Sequence, residues 1–254
     1  LVAFADLADT LALVPADTAA LAVSGPFAEA SGDPADNLVL KAAAALSARV
    51  TGLRIGRFRL DKHIPAAAGL GGGSADAAAA LRLLARANGL ALDDARLMTT
   101  ALDIGADVPV CLASRACVMS GIGERLLPPL ELPALHAVLV NPGVSVATRE
   151  VFAAFAGTTA TTRPLGDVPR EHGALIDCLN RQDNYLTEAA IVRAPVIGDV
   201  LAALRALPGV QLARMSGSGA TCFALFASDQ DAAAGAQQLR AERKNWWVAA
   251  TRLG

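Results

Sequence analysis

"IPAAAGLGGGSADAAAALRLL", residues 64–84, holds four glycines within residues 69–73 and runs directly into an alanine-rich segment. Glycine is the most permissive backbone, whereas alanine and leucine are strong helix formers. The switch predicts a loop followed by a helix from about Ser74 to Asn88, stopped by Gly89 and capped by Ser74. Glycines let backbone approach a ligand closely, and the first N–H groups of a helix are unpaired and sit at its positive end. The stretch therefore reads as a cradle for a polyphosphate, with Ser74 Oγ available to cap the helix or to bind a phosphate or metal ion. A plain flexible turn before a capped helix fits the same letters. Asp76 suits a helix start but would repel a phosphate, so it is either a helix-start charge or a partner of Mg²⁺.

Two better-known phosphate motifs fail on specifics. A dinucleotide fingerprint needs a third glycine where Ser74 stands, and an acidic residue about 20 positions on, where a second helix is expected instead. A Walker A loop needs a lysine directly after its glycines, and there is none. The failed fingerprint argues against a Rossmann oxidoreductase.

Upstream, residues 9–14 and 20–24 read as strands, and "SGP" at 24–26 as a break. Residues 29–37 form a loop ending in Asn37, a candidate N-cap for a helix over 38–50. "GLRIGRFRLDKHI", residues 52–64, reads as a strand whose alternation slips at Gly56, which predicts a bulge there. Downstream, a helix covers about 92–104 with Asp93 and Asp94 in its first turn. "GADVPVCL" predicts a tight bend and "ACVMSG" a short strand. "LLPPLELP", residues 126–133, is the best linker, which sets domains at 1–130 and 131–254.

Beyond the linker come a buried strand in "HAVLVNPG", a helix in "SVATREVFAAF" capped by Thr148 or Ser145, and an irregular loop over 157–169. Further helices are expected over 184–190 and 196–206. "VQLARMSGSGATCFALFAS" reads as strand, glycine turn, strand. Ser228 opens a helix with Asp231 at the capping-box position, and "NWWVAATRL" closes the chain as a strand, with Trp246 and Trp247 alternating faces. The mixture of hairpins and helices in both halves is α+β.

The 254 residues carry 54% hydrophobic and 18% charged side chains and a formal charge of −2, the balance of a globular chain without a nucleic-acid-binding surface. No apolar run is long enough to span a bilayer, and Asp6 and Asp9 interrupt the apolar start, so no signal peptide is read and a cytoplasmic location is expected. Cys111, Cys117, Cys178 and Cys222 lack metal-ligand spacing and read as buried, reduced thiols. His63, His136 and His172 are scattered and receive no role.

"KHIPAAAGLGGGSADAAAAL", "IGADVPVCL" and "RMSGSGATCFALF" follow one another in the order of the three motifs of the GHMP kinases, and the chain resembles that family over nearly its whole length; "NPGVSVATREVF" and "WWVAATRLG" are also similar. The wording "GLGGGSADAAA" with "GADVPV" is most similar to the members that phosphorylate 4-diphosphocytidyl-2-C-methyl-D-erythritol. The resemblance implies an N-terminal ATP-binding domain like the second domain of ribosomal protein S5, a ferredoxin-like C-terminal domain, and a cleft between them. It implies ATP with Mg²⁺, a small-molecule alcohol substrate, no nucleic acid or membrane partner, and a monomer or weak homodimer.

By the same resemblance Asp107 is the catalytic aspartate, although a turn or cap aspartate would also fit those letters. Pro65, Ala66, Ala67, Ala68, Gly69, Leu70, Gly71, Gly72, Gly73, Ser74 and Ala75 bind the ATP phosphates, with Ser74 the candidate Mg²⁺ ligand. Lys62 reaches the nucleotide or is a solvated lysine. Asn37 contacts the nucleotide or simply caps its helix. Ser216, Gly217, Ser218 and Gly219 close over phosphate on the substrate side or form a plain hairpin. Phe152 stacks on cytosine or belongs to the core. Relatives begin with a further segment carrying a lysine and a Tyr-His pair, so a truncated start is expected. Alternatives are a homoserine- or mevalonate-type kinase, or a nucleotide-binding form inactive for want of that lysine. Tyr185 and Ala75 replace an aspartate and a serine common in relatives.

Overall fold

The structure, a computed structural model, describes residues 1–155 and 165–254. Most of the expected irregular loop over 157–169 lies outside the described residues. The chain divides into two compact units. The first comprises Leu1–Ala3, Leu7–Ala66 and Gly71–Pro129; the second comprises Phe4–Asp6, Ala67–Leu70 and Leu130–Gly254.

In the first unit, strands β1 (Thr10–Pro15) and β2 (Ala20–Ser24) flank β3 (Gly56–Asp61), antiparallel and parallel to it respectively. The β1–β3 register is unbroken from Thr10–Asp61 to Pro15–Gly56, so the expected bulge is absent. Gly56 is instead the first residue of β3. A Cβ there would run into the Val14 carbonyl, so the glycine serves close backbone approach. The parity slip marked the strand's beginning. Phe58 and Leu60 point inward, onto a layer of helices α1 (Leu38–Ser47), α2 (Gly72–Asn88), α3 (Ala95–Ile104) and α4 (Val108–Ala113).

Asn37 caps α1, its Oδ1 accepting from Val39 N at 3.0 Å. The α1 and α2 surfaces that pack together are largely alanine, with Ala42, Ala43, Ala77, Ala78 and Ala80 all buried. Small side chains let the two backbones approach closely, and Leu46, Leu81 and Leu84 fill the remaining space. Asp94 is the N-cap of α3, which starts at Ala95, so Asp93 and Asp94 stand before its first turn and not within it. "DVPVCLA" is not a bend: Pro109 sits where a helix tolerates proline, near its start, and the segment forms α4. A short hairpin of β4 (Met119–Ser120) and β5 (Arg125–Leu126) follows.

The second unit is a four-stranded antiparallel sheet in the order β7 (Val210–Met215), β8 (Cys222–Phe226), β6 (Leu135–Asn141), β9 (Trp247–Leu253). Central strand β6 is buried on both faces, as its unbroken apolar run predicts. Val138 and Val140 join the larger core, to which α7 (Thr187–Arg193), α8 (Val196–Arg205) and α9 (Asp229–Glu242) contribute. Leu135 and Ala137 face a smaller cluster with Leu175 and Ile176 of α6 (His172–Asn180).

Helix α6 was not expected from the sequence. Its N-cap is Glu171, whose carboxylate accepts from Gly173 N and Ala174 N, and glutamate is not a usual start signal. Helix α5 (Thr148–Ala154) starts on Ala147 with no side-chain cap, correcting both Ser145 and Thr148. Ser228 does cap α9, accepting from Asp231 N at 3.1 Å. Trp246 packs on the larger core, and the Arg243 guanidinium lies 5.1 Å from its ring. All four cysteines are buried free thiols. Among the described residues no helix is long and apolar enough to cross a membrane.

Leu84 is fully buried in α2. Leu84→Ala should lower the urea midpoint by an amount equivalent to about 2–5 kcal/mol without changing the slope of the transition.

Candidate active site

The glycine stretch is shared between the two units, residues 67–70 clustering with the second and the chain from Gly71 onward with the first. Its glycines do different work. Gly69 has φ +71°, and a Cβ there would lie 2.5 Å from the Gly219 carbonyl and 2.6 Å from that of Ser216. It is glycine because the second glycine turn presses on it. Gly71 has φ +67° and open space around it, so only its backbone conformation demands glycine. Ala67 also has positive φ, at 49°. Left-handed residues at 67, 69 and 71 alternate along the loop, the pattern that turns successive N–H groups into an anion-binding concavity.

Gly71 is the N-cap of α2 and supplies no side-chain bond, and the first intrahelical bond runs from Ala75 N to Gly71 O at 2.8 Å. Ser74 is therefore not the cap. It is the third helical residue, half-buried, in the first turn, whose N–H groups have no intrahelical partner. The uncapped start of a helix 17 residues long could hold phosphate on its free N–H groups.

Asp76 is neither free nor a helix-start surface charge. It is buried, its Oδ2 accepting from Lys62 Nζ at 2.8 Å, and Lys62 also donates to Asp9 Oδ2. Asp9 Oδ1 accepts from two successive backbone groups, His63 N at 2.6 Å and Ile64 N at 2.8 Å. Lys62 is thus not a solvated lysine but the centre of a buried ion triad. Burial pushes the Asp76 carboxyl from an ordinary 3.8 up to about 6, against the pull of the Lys62 ammonium. Among the described residues no three His, Cys, Asp or Glu side chains gather as a metal cage. With Asp76 committed to Lys62, the Ser74 hydroxyl, a hard oxygen donor, could join a Mg²⁺ ion ligated mainly by phosphates and water.

Asp107 stands at the N-cap position of α4, exposed, and caps nothing. Gly105 ends α3 two residues before it. Helix α4 is held to α2 by Arg82, whose Nη1 donates to Cys111 O at 2.6 Å. The buried Cys111 thiol is raised to about 12, first by burial and then by the charges of Asp107 and Asp76. Helices α2 and α4 pack directly against each other.

In the second unit the turn at 216–219 is braced from several sides. Ser216 Oγ donates to Gly69 O at 2.8 Å and Thr221 N to Ala68 O at 3.0 Å, so the turn and residues 67–70 are one hydrogen-bonded assembly. Asn184 Nδ2 donates to Gly217 O at 2.8 Å and Met215 O at 3.0 Å. Buried Asn141 donates to Thr221 Oγ1, and Ser218 shares a 2.9 Å hydrogen bond with Thr148. Phe152, four residues from Thr148 on the same face of α5, is 57% exposed and so not a core residue. Asp9, Arg82, Asn141, Thr148 and Asn184 were not read as site residues from the sequence, because their partners here are remote in the chain and no spacing announces them.

GHMP kinases N terminal domain matches residues 37–115, and GHMP kinases C terminal matches 169–245. A 4-diphosphocytidyl-2-C-methyl-D-erythritol kinase of Rhodopseudomonas palustris (strain BisB5) is 56% identical over 263 residues, covering 99% of this chain and 89% of that protein. The chain belongs to the GHMP kinases. A 4-diphosphocytidyl-2-C-methyl-D-erythritol kinase of Bradyrhizobium diazoefficiens is 52% identical to this GHMP kinase across 99% of its length and 88% of the relative's. A crystal structure of 4-(cytidine 5'-diphospho)-2C-methyl-D-erythritol kinase superposes with a TM-score of 0.74 at 34% identity, covering 99% of this chain and 88% of that one. Homoserine kinase from Cytophaga hutchinsonii shares the fold, with a TM-score of 0.70 at 20% identity over 97% of this chain and 87% of that one. The α+β, two-domain GHMP kinase fold expected from the motifs is the fold observed.

Gly69→Ala should cost about 2 kcal/mol or more, because backbone carbonyls must move, whereas Gly71→Ala should cost only about 1 kcal/mol of left-handed strain; thermal unfolding of both variants ranks them. The folded pKa of Asp76 is raised, so its stabilisation is complete below about pH 4 and is lost as pH rises through about 6. Asp76→Asn should therefore gain stability relative to the parent chain between about pH 4 and about pH 7, read from urea midpoints.

Proposed function

We propose that this GHMP kinase transfers the γ-phosphoryl group of ATP to the 2-hydroxyl of 4-diphosphocytidyl-2-C-methyl-D-erythritol, in the non-mevalonate route to isoprenoid precursors. The observation that carries this reading is the near full-length identity, above 50%, to kinases of that name. Phosphoryl transfer asks the protein for position and charge neutralisation more than for covalent chemistry. In this reading the N–H groups of Gly72, Gly73 and Ser74, with the loop from Pro65 to Gly71, hold the β- and γ-phosphates. Bound Mg²⁺, with Ser74 as its protein ligand, would neutralise charge on the phosphate oxygens.

Asp107 accepts the proton of the substrate hydroxyl as the oxygen attacks, a role open to an exposed carboxylate that caps no helix. The backbone of residues 216–219 contacts phosphate on the substrate side, and exposed Phe152 offers a ring for cytosine stacking. Asn37 Oδ1 is occupied by Val39 N, which leaves its amide nitrogen for the nucleotide.

An ADP-release assay against a panel of alcohols checks the substrate: turnover is expected with the cytidyl compound and not with homoserine or mevalonate, and the reverse pattern would overturn the proposal. Asp107→Ala should lower turnover by about 10²–10⁴-fold while MgATP affinity stays within about twofold. Parent-like turnover in that variant would remove Asp107 from the mechanism.

A further inference from the structure

Lys62 follows the last residue of β3, where the chain leaves the sheet for the glycine loop, and Asp76 lies in the second turn of α2, just past the loop. Their side chains and that of Asp9 are almost sealed from solvent, at 4%, 7% and 3% exposure. Lys62 is also pinned by its backbone, its N–H donating to Ser24 O at 2.7 Å and its carbonyl accepting from Phe27 N at 3.1 Å. Asp9 holds the loop's entry through His63 N and Ile64 N. At the exit, Lys62 Nζ bonds Asp76 and lies 3.3 Å from where a Cβ of Gly72, the first residue of α2, would stand. One ammonium thus ties the residues that begin the loop to those that end it.

We infer that Lys62, Asp9 and Asp76 form a clamp that sets the shape of the phosphate loop, so that they act as positioning residues and Lys62 does not itself contact the nucleotide. The inference rests on the kinase reading above. Swinging the ammonium out to a phosphate would strand two buried carboxylates, a strongly unfavourable change. A buried ion group is also weak evidence of stabilisation in its own right, since packed apolar side chains serve as well. What apolar side chains would not supply is the directional hold on both loop ends.

Calorimetric titration of the 254-residue chain with MgATP, alongside melting curves, tests the clamp. Asp76→Leu should weaken MgATP by about tenfold, and Asp76→Asn, which keeps an oxygen for Lys62, by no more than about threefold. The double variant Lys62→Met/Asp76→Leu leaves the buried Asp9 carboxylate without its ammonium, should melt below the parent, and should weaken MgATP no further than Asp76→Leu alone. In turnover, KM for the alcohol substrate should stay within about twofold in each. Parent-like MgATP affinity in a folded Asp76→Leu or double variant would overturn the clamp and leave the triad merely structural. Tighter MgATP binding in Asp76→Leu, with weaker binding in Lys62→Met, would overturn it in favour of a direct lysine–phosphate contact. If the parent binds MgATP but does not phosphorylate the cytidyl substrate, the substrate assignment fails while the affinity series still decides the clamp.

Discussion

The first turn of α2 presents backbone N–H groups that have no partner within the helix, and among the described residues no side chain caps it. Gly71, at the capping position, has no side chain to offer. Ser74 comes too late in the turn to cap it. Asp76, the nearest carboxylate in sequence, is drawn inward to Lys62. Most helices are stabilised by a capping side chain at this end. Leaving α2 open forgoes that contribution, and in the function proposed above the positive end of the helix is kept for phosphate, the constraint that the glycine loop and the triad serve.

Different forces hold the loop at its two ends. In the first unit the hold is ionic and buried, with Lys62 between Asp9 and Asp76. In the second unit it is hydrogen-bonded and neutral, with Ser216 and Thr221 meeting the carbonyls of Gly69 and Ala68, and with Asn184, Asn141 and Thr148 bracing the turn behind them. Buried polar groups that are satisfied in this way specify one geometry, since each lost partner would leave an unpaired donor or acceptor. Such rigidity suits phosphoryl transfer, whose catalysis is mostly placement.

Much of this was legible in the letters. The breakpoints of α1, α2 and α9 follow from Asn37, Gly89 and Ser228, each a local signal acting on its neighbours. The errors share a cause. Gly56 looked like a bulge because the sequence does not show that the Val14 carbonyl crowds that position. "GADVPVCL" looked like a bend because its letters do not show that Pro109 falls in a first turn, where a helix tolerates it. Helix α6 went unseen because its cap is a glutamate. Lys62 looked solvated because Asp9 lies 53 residues away.

The sequence by itself determined the motifs, the family they resemble, the α+β pattern and the helix that carries the phosphate loop, since periodicity, propensity and motif spacing act over a few residues. Tertiary structure alone decided what each polar residue does. It buried Lys62 and Asp76 together, left the Asp107 carboxylate exposed, pressed Gly69 against the second glycine turn and turned Phe152 outward. The reason is physical: a charge is worth what its partners and its burial make it, and both are set by residues far apart in the chain.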